Sequence, residues 1–262
     1  MQKIVPSILS ADGSLHLTCP KSWQELAQDE GLMRYVLRLV GCGMYSQEEV
    51  CTKLLLHITG IKVVKRIEDK WACTIPVKDE NGKRHRQTIY LQAWQVESMI
   101  QQLDYVNSYE TMDVRLESVQ GFKAVDSMLH HVSFGDYLNM EKYYQVFLAR
   151  QEERWVLKLA QLLYPGGVTE IDVAERTNCI MWFSYVKKAM QPFFPHFFKP
   201  APVSSGKDIN WLEQTNAQVR ALTEGDITKE AEVYRQDCWR ALTELDAKAR
   251  EAEEFRRKYP NS

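Results

Sequence analysis

The 262-residue sequence has no hydrophobic run long enough to cross a bilayer, which takes about 18 consecutive apolar residues. It also lacks a CxxC pair, because its six cysteines are scattered: Cys19, Cys42, Cys51, Cys73, Cys179 and Cys238. The N-terminus has neither the basic start nor the apolar core of a secretory signal. We therefore expect reduced core thiols in a cytoplasmic protein that does not bind membranes.

An excess of charge of one sign is missing as well. Lys and Arg number 33 against 35 Asp and Glu, which gives a formal net charge of −2. This balance provides no general attraction to nucleic acid or to anionic lipid. Hydrophobic residues make up 45% of the chain, which is enough for a sizeable core.

Motifs that mark reactive sites are absent too. There is no HExxH, EF-hand, GxSxG or complete phosphate-loop pattern, and Ser205-Gly206-Lys207 lacks the first glycine and the final Ser/Thr of such a loop. We therefore predict a protein that is not an enzyme and has no catalytic, cofactor-binding or metal-binding residues.

The N-terminal part has the pattern of a small α+β unit over residues 1–112. Ser22 with Glu25 and Ser46 with Glu49 form capping-box patterns that predict helix starts, and Gly60 predicts a helix end. The stretches IKVVKRI, WACTIPV and RQTIYL predict three strands, the last two joined through the hairpin signal Asn81-Gly82. A helix over 92–103 is expected to pack on this sheet.

The remainder is predicted to be mostly helical and similar to a helical bundle. A helical region over 113–191 is expected to start with an edge strand at Val114–Leu116 and to include one long helix from Ser133 to Tyr164. Four prolines between Pro192 and Pro202 predict an extended connector over 192–207. A helical hairpin over 208–262 follows, with Leu212 facing inward and a terminal helix from Thr228 to about Lys258. The fold class is thus α+β, mostly α.

Three groups of residues are candidates for function. The terminal helix has a stripe at spacings of three and four that a partner could cover, followed by a basic end: Tyr234, Cys238, Leu242, Leu245, Ala249, Arg256 and Arg257. The simpler interpretation is that the stripe packs on its own chain. Lys83, Arg84 and Arg86 could contact an anion, or could only keep an edge strand solvated.

The third group lies around Glu141, which shares a helix face with Tyr137, Tyr144 and Gln145. A dispersed enzyme site around Glu141 and Tyr144, with Arg115, is one alternative function. Acid–base chemistry requires a second titratable group opposite, and the sequence nominates none. A carboxylate that only supports packing explains the pattern equally well. The other alternative is an accessory phage protein that binds nucleic acid through the basic hairpin.

Several segments resemble one family. They are PKSWQELAQDEGLMRYVLRLV, RLESVQGFKAVDSML, FGDYLNMEKYYQVFL and NAQVRALTEGDITKEAEVYRQDCWRALTELDAKARE. They resemble proteins encoded by prophages of gut anaerobes, in the tail-morphogenesis gene region. The resemblance implies a tail assembly chaperone or a structural tail protein that binds the tape-measure protein or tail-tube subunits. It also implies a location in the host cytoplasm or in the virion.

Overall fold

The structure is a computed structural model that describes residues 7–9, 15–17, 19–78, 83–198 and 211–259. The fold is α+β and mostly helical, as predicted. The chain divides into two compact units. The first comprises Met1–Val114 and Asp172–Asn178, and the second comprises Arg115–Ile171 and Cys179–Ser262. Asp172–Asn178 thus belongs with the first unit, although the sequence placed it inside the 113–191 region.

The first unit combines a short hairpin, four helices and a three-stranded sheet. In chain order its elements are β1 (Ser7–Leu9), β2 (Leu15–Leu17), α1 (Trp23–Leu26), α2 (Glu30–Gly41), α3 (Gln47–Thr59), β3 (Lys62–Ile67), β4 (Lys70–Lys78), β5 (Arg84–Gln92) and α4 (Ala93–Gln101). Two 3-10 turns follow, at Asp104–Asn107 and Tyr109–Thr111.

The sheet has the order β3-β4-β5 and is antiparallel throughout, which confirms the three predicted strands. The Asn81-Gly82 turn itself lies outside the described residues. Cys73, Ile75 and Leu91 form the buried face, and Val96 and Met99 of α4 pack against it. The predicted packing of this helix on the sheet is therefore confirmed.

Helix starts in the first unit follow their capping residues. Ser46 accepts a hydrogen bond from the Glu49 amide while Glu49 accepts one from the Ser46 amide, so this capping box is complete. Ser22 caps only the single turn of α1. A second helix, α2, starts after Asp29, whose side chain accepts a hydrogen bond from the Leu32 amide. The helix start predicted at Ser22 is thus confirmed, but it begins only the short α1, and α2 follows as a separate helix.

The described part of the second unit is helical apart from one hairpin of two-residue strands. Its elements are β6 (Ser118–Val119), β7 (Phe122–Lys123), α5 (Phe134–Arg150), α6 (Glu153–Leu163), α7 (Val173–Met190), α8 (Trp211–Thr223), α9 (Glu230–Arg235) and α10 (Cys238–Lys258), where α7 begins within the segment assigned to the first unit. The strand predicted at Val114–Leu116 is wrong, because no described strand pairs with these residues.

Two helices predicted as continuous are broken. Gln151 adopts a left-handed conformation (φ 56°) and ends α5, so the helix predicted from Ser133 becomes α5 and α6. The terminal helix is interrupted at Asp237, so it becomes α9 and α10. The Asp237 side chain accepts hydrogen bonds from the amides of Trp239 and Arg240 and caps α10. Neither break contains glycine or proline.

The predicted extended connector is wrong where the structure describes it. Gln191–Phe193 forms a 3-10 turn and a further turn follows, so this part is not extended. Phe194 is buried in the core of the second unit, as expected of a phenylalanine that attaches the segment to the body of the chain. The rest of the connector, 199–207, lies outside the described residues, as does the predicted helix start at Asp208. Leu212 is 69% exposed, so its predicted inward orientation is also wrong.

The core of the second unit is large and rich in aromatic residues. Its largest fully buried side chains are Phe134, Tyr164, Trp182 and Phe183. The Tyr164 hydroxyl donates to the Leu116 carbonyl oxygen at 3.0 Å, so the polar atom of this buried side chain has a partner. Close packing of this kind makes the unit sensitive to the loss of any one ring.

Burial of the cysteines predicts slow alkylation. All six are free thiols, and Cys51, Cys73, Cys179 and Cys238 are buried. Burial is the main cause that raises the pKa of Cys51 to about 11 and that of Cys238 to about 12. At neutral pH both are protonated and poorly nucleophilic.

We therefore expect iodoacetamide to label Cys51 and Cys238 of the native protein at least about a hundredfold more slowly than an ordinary thiol of pKa about 8.5. Mass spectrometry of timed, quenched samples measures this. In urea, iodoacetamide should label Cys51 and Cys238 at the rate of an ordinary thiol. Fast labelling in the native state, at the rate found in urea, would contradict the burial of these thiols.

Candidate interaction surfaces

The predicted partner-binding stripe lies inside the second unit. Cys238 and Leu242 are fully buried and Leu245 is 5% exposed. The Cys238 amide donates to the Val132 carbonyl oxygen at 2.8 Å, and the Trp239 indole donates to that of Met128 at 2.7 Å. These contacts fix the start of α10 in the core. The stripe therefore packs on its own chain, the simpler of the two interpretations of the sequence.

The flanking members of the stripe are also engaged. Tyr234 is half-buried on α9, and its side chain lies so close to Gly135 that a Cβ there would be 3.3 Å from the ring. Ala249 is half-buried on α10. A partner would therefore reach little of the apolar surface that the sequence suggested.

Polar contacts attach the second half of α10 to the turn after α7, and we call these contacts the anchor. Asp246 accepts the amides of His196 and Phe197 at 2.7 and 2.9 Å. The His196 Nδ1 lies 3.3 Å from Glu253 Oε2. This anchor holds α10 to the turn after α7 as far as Glu253. The sequence did not suggest it, because its members are about 50 residues apart.

Beyond the anchor, every side chain from Glu254 to Tyr259 is exposed. We call Phe255–Tyr259 the C-terminal tip. Phe255 is 57% exposed and Tyr259 is 56% exposed, and their ring centroids are 5.0 Å apart. Arg256, Arg257 and Lys258 lie between them. Arg256 and Arg257 are thus the two predicted partner-binding residues that a partner can reach.

The aromatic pair of the tip was missed in the sequence, although a signal for it exists. Residues four apart on a helix share a face, so Phe255 and Tyr259 form an apolar edge on a helix end that is otherwise charged. The three cations also complement the negative end of the helix dipole. That stabilises the helix, but it does not account for the two exposed rings.

The basic hairpin is part of a wider positive surface. Lys and Arg number three in β3, two in β4 and two in β5, and these strands contain no Asp or Glu. Lys83 and Arg84 are exposed. Arg86 is exposed but also donates to the carbonyl oxygens of Gly60 and Thr74 at 2.8 and 2.7 Å. Its guanidinium is thus fixed across the sheet, whereas the start of β5 presents charge to solvent.

Glu141 has a charged partner that the sequence could not nominate. Its Oε1 lies 2.6 Å from Lys187 Nζ and accepts a hydrogen bond from Gln145 at 3.0 Å. The side chains of Glu141 and Lys187 are each 20% exposed. Lys187 also lies over the ring of Tyr144, 5.1 Å from its centroid. This half-buried ion pair joins α5 to α7.

The dispersed enzyme site is only partly brought together. Tyr144 lies beside the Glu141–Lys187 pair, and burial raises the pKa of the neighbouring Tyr137, with the charge of Glu141 as a further cause. Arg115 is engaged elsewhere, 3.8 Å from Glu117 and over the ring of Trp182. Glu141 Oε2 is buried and has no hydrogen-bond partner among the described residues. The described contacts of Glu141 are therefore those of an ion pair between two packed helices, α5 and α7.

Two further properties bear on function. Within the described ranges, no helix has both the length and the hydropathy that crossing a bilayer requires. Among the residues that the structure describes, no three His, Cys, Asp or Glu side chains are grouped so that they could hold a metal ion.

The chain matches no protein-family model, no curated protein and no solved structure.

Proposed function

We propose that this protein is a non-enzymatic phage or prophage morphogenesis protein that acts in tail assembly through protein–protein contacts. Its partner in this proposal is the tape-measure protein or a tail-tube subunit, which it meets in the host cytoplasm. The resemblance of the segments over about 21–258 supports the setting. The C-terminal tip is the observation that supports a binding role.

The tip has the chemistry of a helix that enters a groove. Half-burial of an aromatic side chain removes roughly 100 Å² from water, which is worth about 2–3 kcal/mol at about 25 cal/mol per Å². Phe255 and Tyr259 are exposed to about this extent, so both have this free energy to gain in a complex. Arg256, Arg257 and Lys258 then select the partner. We propose an apolar groove with carboxylates at its rim.

Removal of the two rings is expected to abolish capture of the partner without unfolding the protein. Phe255→Ala/Tyr259→Ala should retain the melting temperature of the parent chain, since both side chains are exposed. Pull-down of tape-measure and tail-tube proteins co-expressed with the tagged chain should fall at least about tenfold, as for the loss of a binding hot spot.

The matched control is Leu148→Ala/Leu212→Ala, which removes two exposed apolar side chains elsewhere in the second unit. It should leave capture unchanged. If the parent chain captures neither tail protein, or if both double variants lose capture equally, the proposal fails. A concentration-dependent dimer that Phe255→Ala/Tyr259→Ala dissociates would show that the tip binds a second copy instead.

A further inference from the structure

β5 forms one edge of the three-stranded sheet in the first unit. β5 pairs with β4 on one side, and no described strand pairs with its other side. An edge strand presents unpaired amides and carbonyls, which another strand can use. Folded proteins usually protect such edges with charge, bulges or covering segments. The two edges of this sheet differ in that respect.

The β3 edge is protected, whereas the second half of β5 is not. β3 carries Lys62, Lys65 and Arg66, and its pairing with β4 is interrupted by a bulge between Val63 and Lys65. β5 pairs with β4 in unbroken register and has no charged side chain over Gln87–Gln92. A long, regular and uncharged edge is the kind that accepts an added strand.

A cavity of about 610 Å³ lies beside this strand and is lined by residues of β5 and α4 and by Cys19. Ile89, Leu91 and Met99 line it with apolar surface, and Gln95 adds an amide. Trp94 is 63% exposed, and its indole donates to Gln92 Oε1 at 2.6 Å, which orients the ring. A pocket beside an edge strand can take one side chain of an added strand while backbone hydrogen bonds hold the rest.

Charge selects the occupant. The exposed Arg84 begins β5, five residues or about 17 Å from Ile89. All three strands of the sheet are free of carboxylates. A strand that runs antiparallel to β5 would begin beside the C-terminal end of β5, so the apolar side chain that enters the cavity would lie near its N-terminus. Its acidic residues would reach Arg84 about six residues later.

We infer that the β5–α4 groove binds an extended acidic segment of a partner protein as a fourth strand of the sheet. The segment pairs antiparallel with β5, inserts an apolar side chain between Leu91 and Met99, and places carboxylates beside Arg84. This site lies in the first unit and does not depend on the proposed role of the C-terminal tip.

The test uses the full chain and a fluorescein-labelled peptide of about ten residues. The peptide alternates Thr and Val, with a leucine near its N-terminus and two glutamates about six residues later. A second peptide has lysines in place of the glutamates. Fluorescence anisotropy measures binding of each, and hydrogen exchange measures protection of the β5 amides.

The acidic peptide should bind at least about tenfold more tightly than the lysine peptide and should slow exchange in β5. Trp94→Ala and Arg84→Glu should each weaken binding about tenfold. Two control variants, Tyr109→Ala and Lys65→Glu, should bind the acidic peptide with an affinity within about twofold of the parent chain. Tyr109 is a half-exposed aromatic residue away from the groove, and Lys65 lies at the opposite edge.

Several results would overturn the inference. One is the absence of binding by the acidic peptide, and another is equal loss from Lys65→Glu and Arg84→Glu, which would indicate only diffuse attraction to the basic sheet. A single-stranded oligothymidylate that displaces the peptide, with affinity falling steeply as salt rises, would assign the surface to nucleic acid. A dimer that the peptide dissociates would assign it to a second copy.

Discussion

Trp182→Ala is expected to lower the free energy of unfolding by about 3–5 kcal/mol, the largest loss for any single substitution considered. Trp182 is 1% exposed and is among the largest side chains in the core of the second unit. Its ring meets that of Tyr164 edge-on, with centroids 6.3 Å apart, and the Arg115 guanidinium lies 5.5 Å from its centroid. Its indole also donates to the Ser127 carbonyl oxygen at 3.4 Å.

The loss has three sources that act together. Truncation removes the transfer free energy of the ring, leaves a cavity and takes away the surface over which Arg115 lies. Urea unfolding followed by circular dichroism measures the effect. Trp94→Ala is the matched control: it removes the same atoms from a side chain that is 63% exposed, and should cost less than about 0.5 kcal/mol. Equal losses in the two variants would show that Trp182 is not in a close-packed core.

Lys187→Met is expected to cost about 2–4 kcal/mol, somewhat below the range for a fully buried ion pair because one-fifth of each side chain remains exposed. The methionine keeps the aliphatic packing but leaves the Glu141 carboxylate with Gln145 as its only partner among the described residues. Among the described residues Glu141 Oε2 has no hydrogen-bond partner, so the bond from Gln145 alone does not replace the stabilisation that the Lys187 ammonium gives this carboxylate. Lys142→Met, at an exposed position on the same helix as Glu141, should be nearly neutral.

A double-mutant cycle separates this charge effect from lost packing. Glu141→Gln/Lys187→Met removes both charges and should be less destabilising than the sum of the two single variants, by about 1–3 kcal/mol. Urea unfolding of the four proteins at one pH gives the coupling. Additive losses would show that the two side chains do not interact. In that case, a role for Glu141 other than this ion pair would have to be considered again.

Local signals in the sequence predicted much of the fold. The Ser46–Glu49 capping box, the left-handed Gly60 and the alternating strands each depend on a few neighbouring residues, so the sequence alone suffices to identify them. The same is true of the apolar periodicity of α10, which correctly indicated Leu242 and Leu245 as one face.

The breaks between helices were not predicted, because their residues are not obvious helix breakers. Gln151 ends α5 in a left-handed conformation that glutamine does not favour, so its residue type gave no sign of the helix end. Asp29 and Asp237 are good N-caps within apparently continuous patterns, and each could have been recognised as a possible new start. A continuous pattern of apolar residues therefore does not distinguish one long helix from two.

The candidate sites depended on contacts between distant residues, which a single sequence does not show. Lys187 lies 46 residues from Glu141, and Glu253 lies 57 residues from His196. Whether the α10 stripe faces a partner or its own chain is likewise decided by the rest of the fold. The pairing of exposed residues was predictable only within one helix, as for Phe255 and Tyr259.

The end of α10 has a consequence for how this protein can evolve. The residues of the C-terminal tip are exposed and are not part of the core cluster, so substitutions there change the free energy of unfolding little. Selection for stability therefore leaves these positions open, whereas it restricts Cys238, Leu242 and Leu245 on the same helix. Binding specificity located at the tip could diversify to match a changing partner while the body of the protein stays the same.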